Sequence, residues 1–252
     1  MKLAVAMSMP TLTQNEKLAH SLSTGVEESF RKKLLLKVGS AAFTAGGPKF
    51  VKSLRRLGFD VVMDTKLHDI PDEMSKAAGL IAASGACMLT VHASASRDAV
   101  RAAKKAAGAA KVLAVTVLSS MGDRACREIY RRSVRRQAML MVGEALHGGA
   151  DGVVCSPVEL PHLRRWAEHA YERCGPVPPF VRFVPGIELS PRSDDQTRKG
   201  GLREAIEGGA DYVVVGRPVY ESDDPAAVVN RLLRKAEEAE RLRGEYVAAC
   251  DW

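Results

Sequence analysis

The sequence predicts a closed (β/α)8 TIM barrel, built as a single domain over residues 1–252. Three observations predict it. Eight short apolar runs recur along the chain. Longer charged segments at helical period separate them. No linker interrupts the alternation, and the length is usual for one such barrel.

The predicted strands come in order. Leu3–Met7 is first, then Leu34–Val38, Val61–Met63 and Met88–Val91. The second half supplies Val112–Leu118, Gly152–Cys155, Phe180–Val184 and Tyr212–Val215. They are rich in Val and Leu with little polar alternation, as parallel strands covered on both faces require. Among the intervening segments, Pro48–Leu57 and Met74–Ala83 read as helices. The last helix is the clearest. Val229, Leu232, Leu233, Ala236 and Ala239 share one face, and Arg231, Glu238 and Arg241 take the other. Eight β-then-α units favour closure over an open doubly wound sheet. Gly58, Gly85, Gly149 and Gly209 each stand just before a strand. They read as one helix-to-strand turn used repeatedly.

Bulk composition narrows the partners. The formal charge of +7 favours anionic ligands. The densest basic run is Arg131, Arg132, Arg135 and Arg136. It reads as a solvated helix face, because no aromatic stacking platform or groove-reading motif accompanies it; nucleic acid is not an expected partner. The five cysteines form no CxxC pair, a reduced cytoplasmic pattern with no disulfide or zinc framework. No His/Cys/carboxylate cluster has metal-ligand spacing. The first seven residues lack a signal-peptide layout, and no apolar stretch approaches a membrane span.

In such a barrel, function sits where the strands end. Those ends read Ser8, Lys37, Asp64 with Lys66, His92, Ser119 with Ser120, Ser156, Pro185-Gly186 and Gly216-Arg217. Asp64 and Lys66 stand two apart on a strand and so face the same way. A lone buried charge is costly, so the two must be compensated. Lys37 ends the neighbouring strand, and a Lys-Asp-Lys line results, with Asp69 in the following loop. A purely structural ion network is the alternative to a catalytic one. The loops after strands seven and eight often hold phosphate in barrels. Here they carry Pro185-Gly186-Ile187 and Gly216-Arg217-Pro218. Glycine lets backbone N–H groups approach an anion, and arginine offers a bidentate fork. The long polar segment from Glu188 to Gly200 is placed to close over a ligand and bring Gln196 to it. His92 reads as a supporting or packing histidine and not a base, His68 faces away from Lys66 and Asp69 by alternation, and Trp166, Met7 and Met63 read as packing residues.

These stretches carry a resemblance. Asp64-x-Lys66-x-x-Asp69-Ile70-Pro71 resembles the active-site signature of the orotidine 5′-phosphate decarboxylases. Lys37-Val38-Gly39, Thr90-Val91-His92-Ala93, Val115-Thr116-Val117-Leu118, Asp151-Gly152-Val153-Val154-Cys155-Ser156, Pro185-Gly186-Ile187 and Val215-Gly216-Arg217-Pro218 agree with it along nearly the whole chain. Sugar-phosphate decarboxylases and synthases of the same suprafamily share the Asp-x-Lys-x-x-Asp core.

The resemblance implies roles. Lys66 would protonate the carbon that loses carbon dioxide. Asp64 would lie against the substrate carboxylate. Lys37 would hold Asp64 and touch the ribose. Asp69 would cross a homodimer interface to complete the neighbour's charge network. Ser119 would hydrogen-bond the pyrimidine, with Ser120 as fallback. Gln196, Arg217 and the Gly216 backbone would hold the phosphate, and Ile70 and Pro185 would join the binding surface. No metal or organic cofactor is implied. Three positions depart from the family pattern. Ser8 stands where an Asp binds the ribose hydroxyls, Glu73 where a Thr follows Ile70-Pro71, and Glu188 where many bacterial members carry Arg. Ser8 can still hydrogen-bond a hydroxyl, and Glu73 is a candidate replacement carboxylate. These departures motivate a second reading, a keto-sugar-phosphate decarboxylase or hexulose-phosphate synthase. A third, a non-catalytic phosphate- or nucleotide-binding module, is opposed by the intact Lys37, Asp64, Lys66 and Asp69.

Overall fold

Eight parallel strands close on one another in the computed structural model, which describes residues 1–174, 179–188 and 200–250. They are β1 (Lys2–Met7), β2 (Leu34–Gly39), β3 (Asp60–Leu67), β4 (Met88–His92), β5 (Lys111–Val115), β6 (Gly152–Val154), β7 (Val181–Val184) and β8 (Tyr212–Val215). Each pairs with its sequence neighbours, and β1 pairs with β8 to complete the barrel.

Alternation along the strands divides the core in two. Leu3, Val5, Leu34, Leu36, Val61, Leu89 and Val213 face outward into one cluster with the helices. Ala4, Ala6, Leu35, Val62, Met88, Leu113, Val115, Val154, Phe183, Tyr212 and Val214 fill the interior. Both faces are buried, so the runs are continuously apolar in sequence. Burying each large side chain contributes roughly 1.5–3 kcal/mol.

The helices follow from local chemistry. α1 (Leu12–Gly25) starts at Thr11, whose side chain accepts from the Gln14 amide while Gln14 reaches back to the Thr11 amide. Asn15, buried on this helix, binds both the N–H and the C=O of Met9 and so pins the loop after Ser8. The segment Glu28–Arg31 forms a short helix, α2. The predicted helix Pro48–Leu57 is the second half of a longer one, α3 (Ser40–Arg56). It kinks at Gly47, φ 54° and ψ −156°; the Gly46-Gly47-Pro48 breaker hid the first half from a periodicity reading. α4 (Pro71–Ala83) opens on Pro71, with Asp72 and Glu73 complementing the positive end of its dipole. The later helices are α5 (Arg97–Ala107), α6 (Asp123–Tyr130), α7 (Val134–His147), α8 (Leu160–Cys174), α9 (Leu202–Glu207), α10 (Arg217–Tyr220) and α11 (Pro225–Cys250). On α11, Val229, Leu232, Leu233 and Ala236 are buried as the pattern required.

Gly58, Gly85, Gly149 and Gly209 all hold φ between +83° and +95°, the left-handed turn that feeds the next strand. Two of these turns continue as Ala-Asp, and the structure gives the acid a purpose. Asp151 accepts the Val112 amide at 2.7 Å and Asp211 accepts the Arg182 amide at 2.7 Å. Each carboxylate satisfies a strand N–H at the bottom of the barrel.

Two strand boundaries differ from expectation by more than one residue. The run Val112–Leu118 is strand only to Val115. The Thr116 N–H and hydroxyl both donate to the Val154 carbonyl, at 3.2 and 3.0 Å, and the ladder stops there. β3 instead runs past Met63 to Leu67, with a register shift against β4.

At Gly152 the backbones of β6 and β7 leave no room for a side chain. A Cβ there would stand 2.3 Å from the Val181 carbonyl oxygen and 2.6 Å from the Val181 Cβ. Gly152→Ala therefore forces β6 and β7 apart. The expected loss is about 1–3 kcal/mol. Thermal unfolding checks this, with a Tm fall of about 2–4 °C per kcal/mol for a chain of this size.

Candidate active site

The inward-facing register that carries Leu35, Val62 and Met88 continues, two residues on, to Lys37, Asp64 and Thr90. On the other strands the same layer is apolar: Ala6, Val115, Val154, Phe183 and Val214. This layer is thus polar along β2–β4 and apolar along the rest. A cavity of ≈ 380 Å³ opens above this layer, and both halves line it.

Asp64 is the centre of the charged half. It is only 8 % exposed. Its Oδ2 accepts from Lys37 Nζ at 2.7 Å, and its Oδ1 from Lys66 Nζ at 2.8 Å. Burial alone would push the Asp64 carboxyl up. The ammonium groups of Lys37 and Lys66 outweigh burial and hold it well below the ordinary carboxylate range, so it is ionised throughout the neutral range. Lys37 is largely covered, whereas the Lys66 side chain is 39 % exposed and faces the cavity. The array presents one accessible ammonium, oriented by a buried carboxylate that a second lysine holds in place.

The rim matches much of the sequence reading. Ser8, Ser119, Ser120, Pro185, Gly216 and Arg217 all line the cavity with Lys37, Asp64 and Lys66. Gly186, at φ 82°, turns the chain after β7 in a conformation that favours glycine. Two expected residues, Ile70 and Glu73, are elsewhere, and Asp69, expected to serve a neighbour's site, stands outside its own. Asp69 accepts the Ile70 amide at 2.7 Å and does not join the array of its own protomer. Ile70 is 63 % exposed and does not line the cavity. Glu73 is ion-paired to Lys76 on the exposed face of α4, so its carboxylate does not replace the one missing at Ser8. The reason is common to all three. Strand alternation ends at Leu67, and the turn into α4 directs the next side chains outward. Gln196 and the Glu188 side chain lie outside the described residues.

Ser156, read in the sequence as a strand end, also lines the rim; Tyr220 and the apolar wall of Val115, Val154 and Phe183 were not expected there. The wall was available in principle, since those residues occupy the inward register of their strands. Tyr220 carried no signal, because the turn of α10 alone swings it over the mouth.

The His92 and His68 rings lie 5.3 Å apart, tilted by 47°, and the Ser94 hydroxyl sits 2.6 Å from His92 Nδ1 and 3.3 Å from His68 Nε2. Burial, then His68 and Lys66, lower the His92 pKa and so favour its neutral ring beside Lys66. Among the described residues no group of three or more His, Cys, Asp or Glu side chains is arranged to hold a metal ion, and no helix is long and apolar enough to cross a membrane.

Residues 1–232 match the model of the orotidine 5′-phosphate decarboxylase / HUMPS family. An orotidine 5′-phosphate decarboxylase of Nautilia profundicola is 35% identical over 243 residues, 94% of this chain and 100% of the relative. The enzyme of the same name from Anaeromyxobacter sp. (strain K) is 39% identical over 238 residues, 92% of this chain and 96% of its own. The crystal structure of orotidine 5′-phosphate decarboxylase from Lactobacillus acidophilus superposes with a TM-score of 0.76 at 28% identity, covering 93% of this chain and 98% of that one.

Proposed function

The chain belongs to the orotidine 5′-phosphate decarboxylase / HUMPS family, and we propose that it converts orotidine 5′-monophosphate to uridine 5′-monophosphate in pyrimidine biosynthesis, with Lys66 as the proton donor. The observation that carries this reading is the more exposed of the two cavity-lining ammonium groups, that of Lys66, fixed on Asp64 in a cavity that apolar side chains also line.

The chemistry follows from that layout. The bond from the pyrimidine ring carbon to the carboxylate breaks, and its electron pair stays on the ring carbon. Lys66 gives that carbon a proton, and carbon dioxide departs as a neutral molecule. An ammonium 2.8 Å from a carboxylate is held in place before the reaction begins, so it needs no reorganisation when negative charge develops. Asp64, ionised and buried, crowds the substrate carboxylate and relaxes when that charge leaves. Val115, Val154 and Phe183 suit the planar ring and the uncharged product gas. Ser119, with Ser120 beside it, hydrogen-bonds the pyrimidine. Ser8 meets a ribose hydroxyl without adding charge. Gly216, Arg217 and Gln196 hold the phosphate, and that remote binding supplies energy for orientation at the ring.

Asp69, which stands outside the array of its own protomer, completes the site of a partner in a homodimer. The enzyme works in the cytoplasm without metal or organic cofactor. The reading on a sugar phosphate gains nothing from Glu73, which is engaged with Lys76.

Mixing the folded protein with orotidine 5′-monophosphate and following ultraviolet absorbance tests the proposal. Loss of the orotate chromophore, undiminished by chelator, is expected. No loss at high enzyme concentration rejects it.

A further inference from the structure

Lys66 is held at φ 50°, a left-handed conformation that crowds the Cβ of any residue but glycine. Such a conformation persists only where the surroundings hold it. The neighbouring ladder does not. Val62 and Met63 pair with Met88 and Leu89, and pairing then resumes only at Leu67 with Val91. The Lys66 N–H, turned out of the ladder, instead donates to Thr90 Oγ1 at 2.9 Å. That same hydroxyl donates to Asp64 Oδ1 at 3.1 Å, the oxygen that also accepts from Lys66 Nζ.

A closed ring results: Lys66 backbone to Thr90, Thr90 to Asp64, Asp64 to the Lys66 ammonium. Thr90 is fully buried and does not line the cavity, so it has no access to a ligand. Its hydroxyl accepts and donates at once, which no apolar side chain of that size can do. It satisfies a bulge amide that would otherwise be an orphan, and it also fixes one oxygen of the central carboxylate.

We propose that Thr90 is the positioning residue of this site: its hydroxyl sets the left-handed bulge at Lys66 and, through Asp64, the direction in which the Lys66 ammonium points. The catalytic consequence rests on Lys66 being the proton donor; the positional claim does not.

Two variants separate the hydroxyl from the packing. Thr90→Val keeps the branched shape and removes the hydroxyl, and Thr90→Ser keeps the hydroxyl and removes a methyl. Misplacing a reacting group by about 1 Å costs on the order of 10²-fold in rate. Thr90→Val is therefore expected to lower kcat for orotidine 5′-monophosphate by about that factor, with KM changed less than about threefold. Thr90→Ser is expected to recover most of the loss. A valine variant with parental kcat, or a serine variant as impaired as the valine one, overturns the claim.

Hydrogen exchange at the Lys66 amide gives a readout free of activity. It is expected to be slow in the parent and in Thr90→Ser, and at least about tenfold faster in Thr90→Val. Unchanged exchange in the valine variant overturns the proposal even where turnover falls. A parent that does not decarboxylate the nucleotide overturns the functional reading instead, and amide exchange then decides the role of Thr90 by itself.

Discussion

Lys66→Ala is expected to lower kcat for orotidine 5′-monophosphate by about 10²–10⁴-fold or more, the range for removing a positioned general acid. Two effects act together. The donor is gone, and Asp64 keeps its charge with only Lys37 and Thr90 still bound to it. Nucleotide binding is expected to persist, because the loops after β7 and β8, proposed to hold the phosphate, are untouched. Titration with the product nucleotide and single-turnover absorbance measure the two separately. A Lys66→Ala enzyme with parental turnover would remove the residue from the mechanism. The same variant tests the shared site. Co-expressed with an Asp69→Asn chain, it is expected to regain about a quarter of parental activity, since half of randomly mixed dimers carry one intact site of two. No regain, with mixed dimers shown by mass, places Asp69 outside the neighbouring site.

Arg217→Ala is expected to lower kcat/KM by roughly 10²–10³-fold, the cost of removing one partner from a desolvated charge pair. Arg217 lines the cavity just past the end of β8. The phosphate it would hold is remote from the reacting carbon, so the loss is expected in KM first and in kcat as orientation suffers. Arg217→Lys is expected to recover only part, because an ammonium lacks the planar fork. Steady-state kinetics on the nucleotide and on the phosphate-free nucleoside give the check. The nucleoside should lose almost nothing on substitution. Equal losses on both would show that Arg217 does not serve the phosphate.

Much of this was legible in the chain itself. Eight apolar runs broken by amphipathic segments leave few arrangements that bury both faces of every strand, and the barrel is the one that closes. The glycines at 58, 85, 149 and 209 marked turns that only a positive φ completes. Polar residues at the points where apolar runs stop marked the mouth, because such a residue inside a barrel strand would be buried at high cost. Lys37, Asp64 and Lys66 were found on that ground, and the structure joins them at 2.7 and 2.8 Å.

Tertiary structure alone decided the rest. Asp69, Ile70 and Glu73 follow Lys66 within seven residues, yet all three leave the cavity. Adjacency in sequence carries no direction once a strand gives way to a helix. Thr90 is the converse case. It stands 24 positions from Lys66 and looked like one more residue of an apolar strand. Only the closure of β3 against β4, with its slipped register, brings that hydroxyl between an amide and a carboxylate. Local periodicity determines which face of an element is buried. Which side chains then meet depends on the relative register and twist of separate elements, and those are set by packing across the whole barrel.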